Sequence, residues 1–361
     1  MPAKTCDTVP HLRAPDSIGW ETTLRCNMRC RHCGSTAGDP RKDELDTRQA
    51  MALCKQFVKM KVGRVVFTGG ESLLRPDWKQ LGETIMEGGV DLGLLTNGWV
   101  FERRVLKELK SFAGTSFHVL VSLDGTAKIH DSIRGIEGSF ERAYRGTAEL
   151  MAAGIPCGII TTVHHTNIGC MPKLREKILF DLQPYVWQIQ ITTPFGRAHS
   201  NADCSVSPTD YVKLSRFIVA SRKMARGTKT DIATGDCVGY LSRAEPGLRD
   251  GPWDGCQAGL MILGIQSNGN VKGCLSIIDD KYIEGNALKD GLENIWNRPG
   301  AFSYTRRFKT SNLKGECRAC EYGRICRGGC SASSISVFGV PHHAPYCLRL
   351  MDRPAAKRTA R

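Results

Sequence analysis

Six times between residues 18 and 192, a short apolar run is followed by a longer stretch of different periodicity. The apolar runs, at 18–24, 64–67, 91–95, 117–123, 156–163 and 186–192, have the length and composition of strands. Between them, 47–60, 78–88, 102–112, 139–153 and 170–182 carry helical periodicity, with Thr47 and Ser139 as the expected N-caps, and a further helix is expected over 208–225. Strands joined by helical crossovers run parallel. The expected class is therefore α/β, with the strands rolled into a partial (β/α)6 TIM-like barrel or laid out as a doubly wound sheet. In both arrangements the chemistry gathers just past the C-terminal ends of the strands. Here those ends read Thr68-Gly69-Gly70-Glu71, Thr96-Asn97-Gly98 and Ser122-Leu123-Asp124-Gly125.

After residue 226 the alternation stops. Residues 227–255 are rich in Gly, Pro and charge and read as a bridging segment. From 256 to 347 there is little helical period, and seven cysteines fall among many glycines. Apolar burial alone does not hold such a segment together, and metal ligation would supply the missing stability. The chain has 16 cysteines in all. Residues 1–19 lack a long apolar stretch and contain Asp7, Pro10 and Pro15, so they do not form a secretory signal. Away from an oxidising compartment, tight Cys-x-x-Cys spacings point to metal rather than disulfides. No apolar run approaches the ~20 residues of a membrane span. A cytoplasmic protein of two domains is expected from 361 residues, 41% of them hydrophobic.

The net charge is +14, from 50 Lys and Arg against 36 Asp and Glu. The charges read as spread along the chain, with only the tail from Arg349 locally basic. An acidic peptide suits this balance weakly, and nucleic acid is not expected.

Cys26, Cys30 and Cys33 lie directly after the first strand, with three and two residues between them. Three thiolates on one loop can hold three irons of a 4Fe–4S cube and leave the fourth open to a ligand, which is the logic of a catalytic rather than a structural site. A zinc knuckle with His32 as fourth ligand is the competing reading, but the spacing fits no known zinc pattern well. The loop strongly resembles that of the radical SAM superfamily. In that family the open iron chelates the amino and carboxylate groups of S-adenosylmethionine (SAM), and reductive cleavage yields a 5′-deoxyadenosyl radical that abstracts hydrogen. An aromatic residue is usual where this chain has His32. Gly69, Gly70 and Glu71 resemble the family's motif for the SAM amino group. By the same resemblance Ser122, Asp124 and Asn97 are SAM-site candidates and Arg134 a candidate for the SAM carboxylate, although Asn-Gly and Asp-Gly also form turns for their own sake. Pro194-Phe195-Gly196-Arg197-Ala198 resembles the segment that lines the adenine, which makes Pro194 and Gly196 cofactor-site candidates.

The second set, Cys256, Cys274, Cys317, Cys320, Cys326, Cys330 and Cys347, resembles the SPASM domain, which houses auxiliary 4Fe–4S clusters in radical SAM enzymes that modify peptides and proteins. A pair of zinc sites is the alternative. The resemblance implies a distal cluster on Cys317, Cys320, Cys326 and Cys347 and a proximal one on Cys256, Cys274 and Cys330, giving three clusters in all. Ten ligating thiolates around three cores would contribute about −4 and bring the net charge to roughly +10. Fully ligated members carry one more cysteine shortly after the first, and residues 257–262 have none. Either the proximal cluster has an open iron or another cysteine completes it, with Cys237 the first candidate. Cys6, Cys54, Cys157, Cys170 and Cys204 read as ordinary small hydrophobes or surface thiols.

The expected organisation is an extension at 1–17, a radical SAM core at 18–226, the bridge at 227–255, a small loop-rich SPASM domain at 256–350 and a basic tail at 351–361. The expected activity is radical oxidation or crosslinking of a ribosomally made peptide, with flavodoxin or ferredoxin as electron donor. About seventeen residues precede the first strand, too few for a fused leader-binding domain, so recognition falls to a separate leader-binding protein or to direct contact. Two alternatives remain. One is a formylglycine-forming enzyme of the anaerobic sulfatase-maturing type, weakened because Leu275 stands where that group usually has an Asp base. The other is oxidation of a small molecule or tetrapyrrole. His164, His165, Asp236 and Tyr240 are candidate acids and bases near the barrel mouth.

Overall fold

The computed structural model describes residues 14–351. The expected extension at 1–17, apart from its last residues, Cys6 and all but the first residue of the tail lie outside the described residues. Ten strands form one sheet: β1 Ser17–Thr23, β2 Arg64–Gly69, β3 Asp91–Thr96, β4 Phe117–Ser122, β5 Cys157–Val163, β6 Val186–Ile191, β7 Asp231–Thr234, β8 Ile262–Ile265, β9 Asn270–Lys272 and β10 Gly285–Asn286. Their spatial order is β10-β9-β8-β1-β2-β3-β4-β5-β6-β7. Neighbours from β1 to β7 are parallel, as the crossover helices require. The six strands expected from sequence form the partial barrel, and the seventh comes from the segment that reads as a bridge.

Helices α1 Thr47–Met60, α2 Trp78–Glu87, α3 Arg103–Lys110, α4 Ala127–Arg134, α5 Ser139–Ala152, α6 Met171–Glu176, α7 Gly196–His199 and α8 Pro208–Ala225 connect or follow the strands. Successive strand residues face opposite sides. On one side Ile18, Trp20, Val65, Phe67, Leu92, Leu94, Val119, Val121, Trp187 and Ile189 are buried in the main core. Trp20 meets Phe57 of α1 and Phe67 of β2 edge-on, with centroids 5.6 and 5.5 Å away. The opposite side supplies Glu21, Thr68, Ser122, Thr162 and Gln190 to a pocket.

Several local expectations are corrected. Asp46, not Thr47, caps α1: its carboxylate accepts from Gln49 N at 2.7 Å, and the Gln49 side chain accepts from Asp46 N. Gly138, at φ 76°, stands at the cap position of α5, while the Ser139 hydroxyl bonds Asp131 at 2.8 Å. The single helix expected over 170–182 is a 3-10 turn, α6 and a wider π turn at Lys177–Leu182. Helix α4, unanticipated, carries His130 and Arg134.

The cysteine-rich segment is joined to the barrel by backbone. β8 pairs parallel with β1 from Ser17–Ile262 to Trp20–Ile265, and β9 and β10 add antiparallel strands beyond it. Gly19 and Gly264 are partners in this ladder. A Cβ at 264 would lie 2.3 Å from the Leu275 amide nitrogen, so only glycine admits the turn that follows Cys274. Gly264→Ala is expected to lower stability by roughly 1–3 kcal/mol through overpacking. If the pocket takes SAM, as the resemblance of the cysteine loop implies, the same variant should weaken its binding, because Leu275 lines the pocket. Calorimetric unfolding and SAM titration of the same sample check both outcomes.

Candidate active site

The pocket opens at the C-terminal ends of β1 to β6, as parallel α/β folds dictate. Cys26, Cys30 and Cys33 line it together with Gly69, Gly70, Asn97, Ser122 and Arg134. The cysteine loop is held from several sides. Gly70 N and Glu71 N donate to Thr23 O and Arg25 O at 2.9 and 2.8 Å. A Cβ on Gly69 would lie 2.3 Å from Thr23 O, and one on Gly70 2.1 Å from Arg25 O. The glycine pair is therefore required by the approach of β2 to the start of the loop. Gly196, at φ 50°, fits against Gly34 O and Cys33 O in the same way. Arg197 donates to Cys30 O at 2.8 Å and Ala37 O at 3.0 Å.

The sequence-derived candidates divide on this geometry. Glu71 is fully buried and faces its own loop. Its carboxylate accepts from Thr96 Oγ1, Asn97 N and Leu73 N, and burial raises its pKa to about 7 against those hydrogen bonds. Asp124 is also fully buried and lies behind the pocket wall. Burial pushes its carboxyl up, but the Arg134 guanidinium, helped by the Thr162 N–H, outweighs this and holds it well below the usual carboxylate range. Arg134 Nε donates to Asp124 at 2.8 Å and its Nη1 approaches Cys30 Sγ at 3.8 Å. The guanidinium thus supports a cysteine of the loop. The Asn97 amide bonds Asn27 at 2.9 Å and Trp99 N at 2.8 Å. Of 194–198, Phe195 and Arg197 line the pocket, whereas Pro194 and Gly196 shape the segment behind it.

Ser122 lines the pocket with a hydroxyl that bonds no described residue, and Thr192 Oγ1 is buried, unpartnered and on the same wall. Unsatisfied hydroxyls in a cleft suit a polar ligand. Glu21, Gln190, Thr192 and Thr193 were missed from sequence. Polar residues on alternating strand positions were their only signal.

The thiols suit a cluster. Burial raises Cys26 to about 11 and also lifts Cys30. Buried thiols ionise readily only around a cationic centre, which an iron–sulfur core supplies. Among the described residues no three Cys, His, Asp or Glu side chains converge on one ion. His32 lies 3.6 Å from Asp124 and against His164, with centroids 5.7 Å apart, and burial lowers its pKa to about 3.

The second cysteine set falls into two groups. Cys317, Cys320, Cys326 and Cys347 line one small, almost wholly apolar cavity with Tyr240, Ala344 and Leu350. Cys256, Cys274 and Cys330 pack with Ile277, Ala332, Ile335, Tyr304 and Phe195. Phe195 is also on the first pocket's wall, as are Leu275, Ser276 and Ile278, which follow Cys274 closely. Cys237 lies near this second group. The Tyr240 hydroxyl accepts from Cys330 N at 3.1 Å and donates to Asp236 O at 3.0 Å, and Ile191 N donates to Cys237 Sγ at 3.4 Å. Similar N–H···S bonds reach Cys26 and Cys317.

Residues 20–178 match the model of the radical SAM superfamily, and 256–321 match that of the SPASM iron–sulfur cluster-binding domain. Mycofactocin maturase MftC of Mycobacterium tuberculosis is 31% identical over 356 residues, covering 96% of this chain and 86% of its own length. The chain belongs to the radical SAM superfamily. Its radical SAM and SPASM domains make it an enzyme of SAM and 4Fe–4S clusters. AdoMet-dependent heme synthase of Oleidesulfovibrio alaskensis is another relative, 29% identical over 383 residues, covering 99% of this chain and 93% of its own. The radical SAM fold is shared with Streptococcus suis SuiB bound to S-adenosylmethionine, at a TM-score of 0.72 and 19% identity over 90% of this chain and 74% of that one. Native anSMEcpe with bound AdoMet superposes with a TM-score of 0.69 at 20% identity, over 91% and 93%.

Arg134→Met would leave the fully buried Asp124 without its counter-charge. It is expected to destabilise the enzyme by roughly 3–5 kcal/mol. Asp124→Asn combined with Arg134→Met should recover part of that loss. Denaturant unfolding of the wild type, both single variants and the pair measures the coupling.

Proposed function

We propose that this radical SAM enzyme abstracts hydrogen from a peptide and oxidises or crosslinks it. The observation that carries this reading is the shared wall: Phe195, Leu275, Ser276 and Ile278 join the Cys26–Cys33 pocket to the Cys256–Cys274–Cys330 group. One chamber then serves both the abstraction and the removal of the second electron. A cluster with an open iron and SAM, when bound, supplies a 5′-deoxyadenosyl radical able to attack an unactivated carbon. The chain's own residues hold SAM and exclude water. In this reading the backbone of Gly69 and Gly70 receives the SAM amino group, Ser122 and Thr192 offer hydroxyls, and Phe195 covers the adenine. Arg134, kept charged by Asp124, stabilises Cys30 as a thiolate. The names of the relatives, a mycofactocin maturase and a SuiB structure bound to the precursor peptide SuiA, agree with a peptide. We further propose three clusters with the ligand division above, a flavodoxin or ferredoxin donor, a separate leader-binding protein and a cytoplasmic location. Among the described residues no helix is long and apolar enough to cross a membrane.

The heme synthase relatives raise a tetrapyrrole as the second reading. The chamber argues against it. Its lining has two cations, Arg134 and Arg197, and both are committed to Asp124 and to loop carbonyls, leaving none to pair with propionates. The formylglycine reading is disfavoured because the residue after Cys274, Leu275, faces the chamber and is apolar.

Reduced, reconstituted enzyme given SAM is expected to release methionine and 5′-deoxyadenosine. With a peptide deuterated at the target carbon, mass spectrometry should find the label in the 5′-deoxyadenosine. Cys26→Ala, Cys30→Ala or Cys33→Ala should abolish both signals. A labelled tetrapyrrole that transfers deuterium where peptides do not would overturn the peptide reading. Three clusters require about twelve irons per chain. If Cys237 completes the proximal set, Cys237→Ala should open one iron of that cluster. In a background with Cys26, Cys30 and Cys33 all changed to Ala, which removes the first cluster and its own open iron, the electron paramagnetic resonance of the reduced Cys237→Ala variant would then respond to added cyanide, and that of the background alone would not.

A further inference from the structure

A groove of about 850 Å³, unrelated to the cysteines, lies on the flank of the barrel. One wall is the C-terminal half of α8, the other is 243–250, and the floor is Thr230, Asp231 and Ile232 at the start of β7. β7 ends the sheet on this side. Helix α8 buries Tyr211, Leu214, Ile218 and Ala225 against the barrel, which leaves its cations on the other face. From Tyr211 to Thr230 the sequence has six Lys and Arg and no Asp or Glu. The net positive charge is therefore locally concentrated, contrary to the even spread read from sequence.

Arg216, Arg222, Lys223, Arg226 and Arg243 line the groove against the carboxylates of Asp231 and Asp250. Asp250 is taken by Arg222, and Asp231 accepts from Ile232 N. Arg216, Lys223 and Arg226 are exposed and have no ion-pair partner among the described residues. Three unneutralised cations along one wall of a cleft of ligand size form an anion-binding surface.

We propose that this groove binds an acidic stretch of the peptide substrate, away from the residue that is modified. The proposal rests on the peptide reading and names where the remainder of such a substrate is held. A peptide fits better than nucleic acid for two reasons. The lining has no aromatic side chain on which bases could stack. Its two carboxylates would meet a continuous phosphate backbone with repulsion, whereas a peptide can set its own cations beside them. The groove lies at the N-terminal end of β7, and the SAM pocket lies at the opposite ends of the strands. Binding there contributes equally to ground and transition states, so it acts on KM and not on kcat.

The test uses the reconstituted holoenzyme and a fluorescein-labelled twelve-residue peptide alternating glutamate and glycine. Fluorescence anisotropy should show saturable binding that weakens as salt rises. Arg216→Glu with Lys223→Glu and Arg226→Glu should weaken it by about tenfold or more. SAM cleavage without peptide should be unchanged in this variant, which shows that the site itself is intact. Unaltered affinity in the variant, or tighter binding of a twelve-nucleotide oligothymidylate than of the peptide, would overturn the proposal. Binding here requires no turnover, so failure of the peptide reading shows separately, as acidic peptide bound by the groove with no deuterium transfer from any peptide.

Discussion

The buried pair of Asp124 and Arg134 is the interaction on which the reactive site depends. Asp124 lies just past β4, Arg134 ends α4, and Thr162 N of β5 donates to the second carboxylate oxygen at 2.9 Å. Three elements are thereby fixed around one guanidinium, and that guanidinium reaches Cys30. A buried charge is tolerated only when paired and hydrogen-bonded. Both conditions are met, and the result is a positive charge delivered to a place where a thiol must ionise. His32 and His130, which burial keeps largely neutral, complete the surroundings without adding competing cations.

A second hub secures the far side of the cysteine loop. Glu21 lies on the chamber side of β1 and accepts from Arg41, which follows the loop, at 2.9 Å. It also accepts from Ser267 N and Oγ, just past β8, at 3.2 and 3.1 Å. One carboxylate therefore ties the barrel, the loop and the iron–sulfur segment together. With the β1–β8 ladder, it fixes the proximal cysteine group relative to the SAM pocket through short, directional bonds. In the proposed function, the separation across which an electron would pass between the two sites is set by backbone geometry.

The sequence revealed the chemistry more readily than the connections. Cys26, Cys30 and Cys33 are legible because ligand spacing is a local property, and the same holds for the seven later cysteines. The βα alternation is legible because each element is long enough to show its period. Strands β7 to β10 are not, since two to four residues carry no period and their partners are distant in the chain. Glu71 and Asp124 looked like ligand-facing carboxylates because a strand-end acid reads the same whether it turns toward a ligand or toward its own loop. Only the positions of Thr96, Asn97 and Arg134 distinguish the cases. The cationic groove was hidden for a related reason: Arg243 and the 243–250 wall join the α8 cations only through folding.

The pairing of β8 with β1 has a consequence for how the protein is made. β1 precedes every other described strand in the chain, and one of its edges has no partner until residues 262–265 follow. At roughly 5–20 residues per second that edge stays open for tens of seconds or less, while the rest of the barrel can already assemble. An unpaired strand edge is a template for association with other chains. The ladder also closes far along the sequence, a pairing that is intrinsically slow to form. Aggregation during synthesis should therefore depend on how soon the cysteine-rich segment acquires its metal, and cellular iron–sulfur supply would govern yield as well as activity.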